Sequence, residues 1–455
     1  MFKTKWIATS LILSAMTGTL LMQSAVSSAQ TAEQEDRFRE MEEFLAVYQR
    51  VKARYVDKVD DKQLMEGAIQ GMLQSLDPHS AFLDKSDFEN LNTQIEGEYG
   101  GLGLSVTMEQ GAVKVIAPTA DTPADKAGIK AGDYITHLDD KLIVGGTLDE
   151  AVDAMRGTPG TSIKLRVVRL GRDEPFDVTV TRAVIDLQPV KWKVDKDIGL
   201  ITISGFSQDT GKDVVDAIRG VERSLGKKPL GYIVDLRSNP GGLLDEAVAV
   251  SDAFLDSGEI VSERGRERGD VQRWFAERNF PGDATQGAPV IVLVDAGSAS
   301  ASEIVAGALQ DHHRALVMGE QSFGKGSVQT VLPLSRDTGL RLTIARYHLP
   351  SGRSVQEGGI KPDIQVPQLS DPDYAKRISV RETDLRRHLV NELAATDKEL
   401  EEDVSKDPRF AKSAEELKAE GIEDFQLYYA METLQRLGKN TMRLAKKDDK
   451  TPARN

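Results

Sequence analysis

Cysteine is absent from the 455-residue sequence, so no disulfide, thiolate metal site or thiol nucleophile can form. A basic excess is also absent: the formal net charge is −14, and non-specific nucleic-acid binding needs a basic surface. Histidine is scarce, with six residues, and no run after the first 29 residues is long and apolar enough to span a bilayer. The sequence therefore predicts domains that depend on their hydrophobic cores, with no nucleic-acid partner, no metal and no other cofactor.

Residues 1–29 have the three parts of a secretory signal. Two lysines precede an apolar stretch from Trp6 to Met22, and small residues occupy positions 27 and 29. The stretch is short and interrupted by threonine and serine, which favours a cleaved signal over a permanent anchor. We therefore expect export to a bacterial periplasm or cell exterior. Membrane association through an uncleaved signal is the alternative.

Residues 30–96 are expected to be helical. Phe38, Met41 and Leu45 recur at three- and four-residue spacing, and a second such pattern runs from residue 64 to residue 73. This second pattern stops before the run Asp77-Pro78-His79-Ser80. The patterns predict a pair of packing helices, and their position ahead of the other domains also suits a homo-oligomer contact or a lid.

Residues 97–183 have a mostly β pattern. Glycines cluster between residues 97 and 103, and short β-rich runs predict strands at residues 104–108, 113–116, 163–168 and 176–180. One helix is predicted at about residues 147–156, with Thr147 as its N-cap and Glu150 completing a capping box. Gly157 should end this helix.

Residues 184–368 alternate strands and helices, which is typical of an α/β domain whose sheet is covered on both faces. Strands are predicted at residues 200–203, 231–236, 289–294 and 328–332, and helices near residues 210–225, 243–255 and 301–311. Residues 369–445 are charged and helical, without a catalytic signature, and residues 446–455 should be disordered. The predicted fold is multidomain α/β with helical N- and C-terminal regions.

The run from Asp295 to Glu303 places Ser300 at the turn from a buried strand into a helix. A serine hydroxyl becomes a good nucleophile only when a base takes its proton, and a lysine can serve if burial keeps it neutral. Lys325, between two glycines at a strand start, is the candidate base, and Gln329, at even spacing along that strand, could hold its amine. The alternatives are a helix N-cap at Ser300, which is compatible with catalysis, and an exposed hairpin lysine.

Two rival sites fit the sequence less well. Gly319 and the pair Gly324-Lys325 match the beginning of a phosphate-binding loop, but Gly326 stands where that motif needs a hydroxyl ligand for magnesium. Two adjacent histidines, at positions 312 and 313, end the helix that follows the serine, too far along it for a serine–histidine pair. As neighbours they point to different sides of the helix, which disfavours a zinc site.

The oxyanion that forms during acyl transfer needs two backbone N–H donors. Ala301 offers one, at the helix N-terminus. The glycines of Asn239-Pro240-Gly241-Gly242 offer the other, because this turn follows a predicted strand of the same sheet. The sequence does not decide between Gly241 and Gly242.

Several long motifs, in this order along the chain, resemble those of the carboxyl-terminal processing peptidases, also called tail-specific proteases. The motifs are Leu76-Asp77-Pro78-His79-Ser80, Asp235-Leu236-Arg237-Ser238-Asn239-Pro240-Gly241-Gly242, the turn Ser298-Ala299-Ser300-Ala301-Ser302-Glu303, Phe323-Gly324-Lys325-Gly326 with Gln329, and Leu349-Pro350-Ser351-Gly352-Arg353-Ser354. The resemblance covers about residues 40–368. It implies a serine endopeptidase with a crotonase-like core that acts through an acyl-enzyme, with Ser300 as nucleophile, Lys325 as base and Gln329 as the matching glutamine.

The family also implies a PDZ domain, and Gly101-Leu102-Gly103-Leu104 resembles the loop by which such domains hold a terminal carboxylate. The predicted helix beside this loop carries Leu148, Val152 and Met155, which are expected to line an apolar pocket. The expected partners are protein or peptide substrates with free C-termini, a second copy of the chain, and an adaptor or activator protein. A non-enzymatic PDZ scaffold is the alternative function, and the intact serine, lysine and glutamine favour the enzyme.

Overall fold

The structure is a computed structural model that describes residues 38–109, 111–143, 145–172, 174–267, 269–277, 282–377, 379–391 and 407–448. The predicted signal at residues 1–29 lies outside the described residues, as does most of the predicted tail at residues 446–455. Among the helices that the structure does describe, none has the length and apolar character needed to cross a membrane.

The chain divides into two compact units between Leu73 and Gln74. The first unit contains α1 (residues 38–54), which carries the first predicted helical pattern. It also contains α2 (Asp61–Gln74) except for Gln74, and α2 carries the second pattern. Phe38, Met41 and Leu45 on α1 are 65%, 58% and 50% exposed. An apolar helix face that stays exposed in one copy of the chain is suited to contact with another chain.

The second unit begins with β1 (Ala81–Leu83) and α3 (Lys85–Glu96). Asp84 caps α3 by accepting from the Asp87 N–H, and Gly97 ends it with a φ of 75°. The strand β1 lies inside a region that was expected to be helical throughout. It is only three residues long, and its partners lie at residues 339–341, so no local periodicity reveals it.

Residues 98–186 form a β-rich domain. Its elements are β2 (Glu98–Gly101), β3 (Leu104–Glu109), β4 (Ala112–Pro118), α4 (Pro123–Lys126), β5 (Tyr134–Leu138), β6 (Lys141–Leu142), α5 (Leu148–Met155), β7 (Ser162–Val168), β8 (Phe176–Thr181) and β9 (Ala183–Asp186). The main sheet has the order β3-β4-β5-β7-β8, while β2 pairs with β9 and so joins the two ends of the domain. The predicted capping box of Thr147 and Glu150 is present at the start of α5.

Residues 190–365 contain the α/β core. Its elements are β10 (Val190–Asp195), β11 (Ile198–Ile203), α6 (Thr210–Leu225), β12 (Gly231–Asp235), α7 (Leu244–Asp252), β13 (Gly258–Arg264), β14 (Val271–Ala276), β15 (Val290–Val294), α8 (Ala301–Asp311), β16 (Ala315–Gly319), β17 (Ser327–Pro333), β18 (Gly339–His348) and β19 (Ile364–Gln365). β11, β12, β15, β16 and β19 are parallel neighbours in that order, with β10 antiparallel at one edge. Their carboxyl ends therefore share one edge of the sheet, which is where sites of α/β domains form.

A second sheet, which is antiparallel, joins distant parts of the chain. β1, β18, β13 and β14 are neighbours in that order, and β17 also pairs with β18. The hairpin of β17 and β18 follows the segment that carries Lys325, so this sheet brings the lysine segment to the carboxyl edge of the parallel sheet.

Alternate residues of the parallel strands enter two separate cores. On one face, Ile201 and Val234 pack with residues of α6, α7 and α8. On the other face, Leu200 and Ile233 pack with residues of the C-terminal region, which contains α9 (Ala414–Ala419) and α10 (Phe425–Asp448). The C-terminal region therefore covers the second face of the sheet.

Candidate active site

The loop after β15 turns sharply into α8, and Ser300 is the last residue of this loop. Ser300 has a φ of 55° and a ψ of −113°, a conformation that costs a non-glycine residue about 1–3 kcal/mol. The Ser300 N–H donates to the Glu303 carboxylate at 2.8 Å, and the Glu303 N–H donates to the Ser300 carbonyl oxygen at 2.9 Å. These two hydrogen bonds involve the backbone N–H and carbonyl oxygen of Ser300 and not its hydroxyl.

The two neighbouring serines fasten this turn to the loop after β12. Ser298 Oγ donates to the Leu236 carbonyl oxygen at 2.8 Å, and Ser302 Oγ donates to the Asn239 carbonyl oxygen at 2.9 Å. Both serines are fully buried, whereas Ser300 is 8% exposed. Because the flanking hydroxyls hold the fold, Ser300 is the serine of the three that suits a nucleophile.

The loop after β12 lies directly against this turn. The Ala299 N–H donates to the Asn239 carbonyl oxygen at 3.0 Å, and Asn239 Nδ2 donates to the Ile203 carbonyl oxygen at 2.8 Å. A Cβ on Gly241 would lie 2.9 Å from the Cβ of Ser300, so the close approach requires glycine. Asn239 was noticed in the sequence as part of a motif, and the structure shows that it joins the two loops.

The three predicted oxyanion donors differ in their present bonds. The Gly241 N–H donates to Asn239 Oδ1 at 2.9 Å. Within the part of the chain that the structure describes, the N–H groups of Ala301 and Gly242 have no hydrogen-bond partner. Ala301 with one of the two glycines therefore stays the predicted pair, and Gly241 would have to release Asn239 before it could donate to an oxyanion.

A single buried carboxylate joins the serine turn to the lysine segment. Glu303 Oε2 accepts from the Ser300 N–H at 2.8 Å and from the Lys325 N–H at 2.9 Å. Glu303 Oε1 accepts from the Gly324 N–H at 2.7 Å and from Ser322 Oγ at 2.5 Å. The backbones of the candidate nucleophile and the candidate base therefore lie against the same oxygen atom.

The surroundings of Lys325 favour a neutral amine. Burial lowers the pKa of Lys325 below its ordinary value, and the positive charge of Arg341 lowers this pKa further. The carboxylates of Glu382, Glu303 and Asp77 act in the opposite direction without cancelling the effect. A lysine with a lowered pKa is neutral over a wider pH range, so it can take a proton from a nearby hydroxyl.

Gln329 lies on β17, just after a register shift in the pairing of this strand with β18. Such a shift interrupts the strict alternation of strand side chains, so even spacing alone does not place Gln329 and Lys325 on one face. The Gln329 Nε2 donates to Ser327 Oγ at 2.9 Å and to Thr343 Oγ1 at 3.2 Å. A bond from Gln329 to the Lys325 amine stays a prediction.

The turn after α2, which the sequence shows as the end of a helical pattern and as one of the family motifs, packs beside the hairpin of β17 and β18. The Thr343 Oγ1 donates to Asp77 Oδ1 at 3.1 Å, and Arg341 Nε donates to the His79 carbonyl oxygen at 2.9 Å. Thr343 also contacts Gln329, so this turn reaches a predicted catalytic residue through one side chain. The partners of Asp77 lie as far as 266 positions away in the sequence, and no local pattern could show the contact.

Two further residues, which were not predicted from the sequence, bond to the backbone of Gly326, next to Lys325. Gln356 Oε1 accepts from the Gly326 N–H at 2.9 Å, and Gln356 Nε2 donates to the fully buried Glu382 at 3.0 Å. The Tyr347 N–H donates to the Gly326 carbonyl oxygen at 2.8 Å, and its hydroxyl interacts with that of Ser300. Burial raises the pKa of Tyr347, so this hydroxyl stays protonated beside the candidate nucleophile.

A cavity of about 640 Å³ lies in the β-rich domain, between α5, the glycine loop and α3. Six of the seven predicted peptide-binding residues line it, namely Gly101, Leu102, Gly103, Leu104, Val152 and Met155. Leu148 is not among the lining residues. α3 adds a polar wall that was not predicted, and its Asn90 contacts Arg156, which lies 5.1 Å from the centre of the Tyr99 ring.

No group of three or more His, Cys, Asp or Glu side chains among the described residues is arranged to hold a metal ion. The site is instead built from a serine, a lysine, one buried carboxylate and backbone N–H groups. These groups together can activate a hydroxyl for attack on a carbonyl carbon and then stabilise the oxyanion that forms.

The sequence matches three family models: Peptidase family S41 at residues 197–366, PDZ domain at residues 100–180, and Activating protease CtpB N-terminal domain at residues 5–87. A carboxy-terminal-processing protease of Bartonella bacilliformis is 47% identical over 377 residues, which are 82% of this chain and 86% of that protein. The carboxy-terminal processing protease CtpA of Bacillus subtilis is 36% identical over 331 residues, 72% of this chain and 69% of that protein. Among solved structures, a photosystem II D1 C-terminal processing protease covers 71% of this chain and 92% of its own, at 28% identity and a TM-score of 0.43.

Proposed function

Because this chain belongs to the carboxy-terminal processing proteases of peptidase family S41, we propose that Ser300 and Lys325 carry out its peptide cleavage. The protein is a serine protease with a PDZ domain. One observation supports Ser300 above its neighbours. The hydroxyls of Ser298 and Ser302 are bonded to the loop after β12, and the Glu303 carboxylate ties the Ser300 backbone to that of Lys325.

The reaction then proceeds in two halves. Ser300 Oγ attacks the carbonyl carbon of the scissile peptide while its proton passes to the neutral Lys325 amine. Ala301 and a glycine of the neighbouring loop donate N–H groups to the oxyanion, and the lysine ammonium returns the proton to the leaving amine as the peptide bond breaks. Water, deprotonated by the same lysine, then hydrolyses the acyl-enzyme and releases Ser300.

The most direct test of the activity compares the purified protein with its Ser300→Ala variant in a periplasmic extract. Mass spectrometry of protein C-termini should find a set of substrates that only the unaltered protein shortens. Identical sets of C-termini in the two incubations would contradict the proposal.

Glu303 should be needed to hold the Ser300 nucleophile and the Lys325 base at the right distance from each other. In Glu303→Gln an NH₂ group replaces one acceptor oxygen and cannot accept from a backbone N–H. Depending on how the amide turns, this group faces the N–H groups of Ser300 and Lys325 or that of Gly324. One or two unsatisfied buried donors should lower the free energy of unfolding by about 1–4 kcal/mol, and the misplaced groups should lower kcat by about 100-fold. Urea unfolding and steady-state kinetics measure the two effects.

A Ser322→Ala variant is the matched control for Glu303→Gln. It removes one neutral donor to the carboxylate and the acceptor of the Ile360 N–H, but it leaves the contacts of Glu303 to Ser300 and Lys325. Its kcat should fall by less than about 10-fold, because neither lost hydrogen bond involves the nucleophile or the base. A Glu303→Gln enzyme with the same kcat as Ser322→Ala would show that the carboxylate has no special role.

The PDZ domain is proposed to bind the C-terminal carboxylate of the substrate at the loop from Gly101 to Leu104. The cavity beside this loop is lined by the apolar Leu102, Val152 and Met155, which suits apolar last residues of a peptide. Binding could tether the substrate or favour the conformation in which the catalytic groups are assembled. Either role predicts that the terminal charge matters for cleavage.

Amidating the C-terminus of a good peptide substrate should lower kcat/KM by about 10-fold or more, because a charged group bound by several N–H groups is lost. The comparison uses one peptide as free acid and as amide, with an internal quenched fluorophore to report cleavage. An Asp87→Asn variant changes a residue that lines the cavity outside the loop, so it is the control for effects of the cavity that do not involve the terminal carboxylate. Equal rates for the two peptides would leave the domain with a structural role.

The location and assembly of the protein are also proposals. The sequence relatives are bacterial, and residues 1–29 have the pattern of a secretory signal, which together support export to the periplasm. The exposed apolar face of α1 supports a homo-oligomer, and an adaptor or activator protein is a further expected partner. Mass measurement of the mature protein from its host and analytical ultracentrifugation test the first two.

A further inference from the structure

The beginning of α10 lies at the carboxyl edge of the parallel sheet, among the loops that carry the site. Arg237 Nη2 donates to Asp424 Oδ2 at 2.7 Å, and Arg237 Nη1 donates to Asp424 Oδ1 at 2.9 Å. Gln426 Nε2 donates to the Val366 carbonyl oxygen at 2.8 Å and to Glu320 Oε1 at 3.1 Å. Glu320 and Val366 directly follow β16 and β19, and Arg237 lies two residues after β12, so one short segment is bonded to three loops of this edge.

Arg237 is held from both sides by carboxylates. Its Nε donates to Asp235 Oδ1 at 2.8 Å and its Nη2 to Asp235 Oδ2 at 2.7 Å, in addition to the two bonds to Asp424. Paired bonds of this kind fix the direction of a guanidinium as well as its position. The side chains of Arg237, Asp235 and Asp424 are 14%, 11% and 33% exposed, so the network is screened from water better than a surface ion pair.

The residues that follow Arg237 are bonded to the loop before the serine turn and to the turn itself. The next residue, Ser238, has a φ of 56° and donates its N–H to Asp295 Oδ1 at 2.7 Å, in the loop that leads to the serine turn. Asn239 then accepts from Ser302 Oγ, and Gly241 lies against Ser300. A shift at Arg237 would therefore move the loop that carries the candidate oxyanion donors.

We propose that Asp424 is a positioning residue for catalysis, acting through Arg237 on the loop from Ser238 to Gly242. The C-terminal region would then contribute to the rate of the chemical step as well as covering the second face of the sheet. The proposal rests on the catalytic role given above to Ser300 and Lys325. It differs from a purely structural role because it places the effect in kcat rather than in stability.

Asp424→Asn tests the proposal, since it keeps the shape of the side chain and removes its charge. We expect kcat to fall by about 10- to 100-fold, because small displacements of oxyanion donors have effects of this size. KM for a free-acid peptide should change by less than about twofold, because the peptide groove is untouched. Asp407→Asn is the matched control: it removes a carboxylate of the same region that pairs with Arg409, and it should keep wild-type kinetics.

Two further variants separate positioning from folding. Asp424→Glu restores the carboxylate and should recover kcat to within about 10-fold of wild type. Asp424 also accepts from Gln368 Nε2 and from the Leu427 N–H, but the proposal assigns its effect on kcat to Arg237 alone. Asp424→Asn should therefore add less than about twofold to the kcat defect of Arg237→Met. Equal kcat for Asp424→Asn and Asp407→Asn would overturn the proposal, and so would a full, additive effect in the double variant.

The unaltered protein and Ser300→Ala are assayed in parallel. If these two do not differ, the catalytic assignment itself fails, whereas a normal difference between them confines any failure to Asp424.

Discussion

Replacing Ser300 by alanine should lower kcat for peptide cleavage by about 10⁴-fold or more, because the variant has no nucleophile to form an acyl-enzyme. The fold should survive the change. The bonds that shape the turn come from the Ser300 backbone and from the hydroxyls of Ser298 and Ser302, and alanine leaves all of them in place. Cleavage of a quenched fluorescent peptide, with circular dichroism as a check on folding, measures the effect.

The flanking serines supply the matched control. Ser302→Ala removes one bond to the Asn239 carbonyl oxygen, which still accepts from the Ala299 N–H. Its kcat should therefore fall by less than about 10-fold, the effect of one net hydrogen bond. If Ser302→Ala abolished cleavage and Ser300→Ala retained it, the nucleophile would be assigned to the wrong serine.

Removing the Lys325 amine should have an effect of similar size. Lys325→Met keeps much of the apolar stem but has no base, and Lys325→Arg places a group there that stays charged at all accessible pH values. Both variants should lose about 10⁴-fold in kcat, since nucleophile and base act as a unit. Lys376→Met, which removes an exposed lysine paired with Asp373, is the control and should be unaffected.

The pH dependence follows from the same group. A protonated lysine cannot accept a proton, so kcat/KM should rise with pH through the lowered pKa of Lys325. Burial raises the pKa of Glu303 to about 7, and protonation there would remove an acceptor that holds the two backbones, so activity should also fall below this pH. A rate that is flat from pH 6 to pH 9, or an active Lys325→Arg enzyme, would rule out a lysine base.

Much of the fold could be read from the sequence because its signals are local. The helix expected near residues 210–225 is α6 (Thr210–Leu225), and that expected near residues 301–311 is α8 (Ala301–Asp311). Buried strands of the parallel sheet are continuous apolar runs, which is why β12 and β15 were found within one residue of their ends. The strand β5 was missed because its two buried apolar residues are separated by a threonine and a histidine, which breaks the alternation of a strand.

The parts of the site that were missed depend on contacts between distant residues. Asp424 meets Arg237 across 187 positions of sequence, and Thr343 meets Asp77 across 266. In the sequence Glu303 is the last residue of the serine turn, and its bond to the Lys325 N–H depends on a segment 22 positions away. The predicted position of Gln329 on the same face as Lys325 requires a regular strand, and the register shift in β17 interrupts that regularity.

The central claim, that Ser300 is activated by Lys325, is tested most directly by the reaction with a fluorophosphonate, in which the activated serine displaces fluoride. Peptide mapping by mass spectrometry identifies the modified residue, and the rate of modification is followed from pH 6 to pH 9. We predict a single adduct on Ser300, a rate that rises with pH, and a rate at least about 100-fold lower in Lys325→Met, since the base is then missing. An adduct on Ser298 or Ser302, or equal rates with and without the Lys325 amine, would contradict the claim.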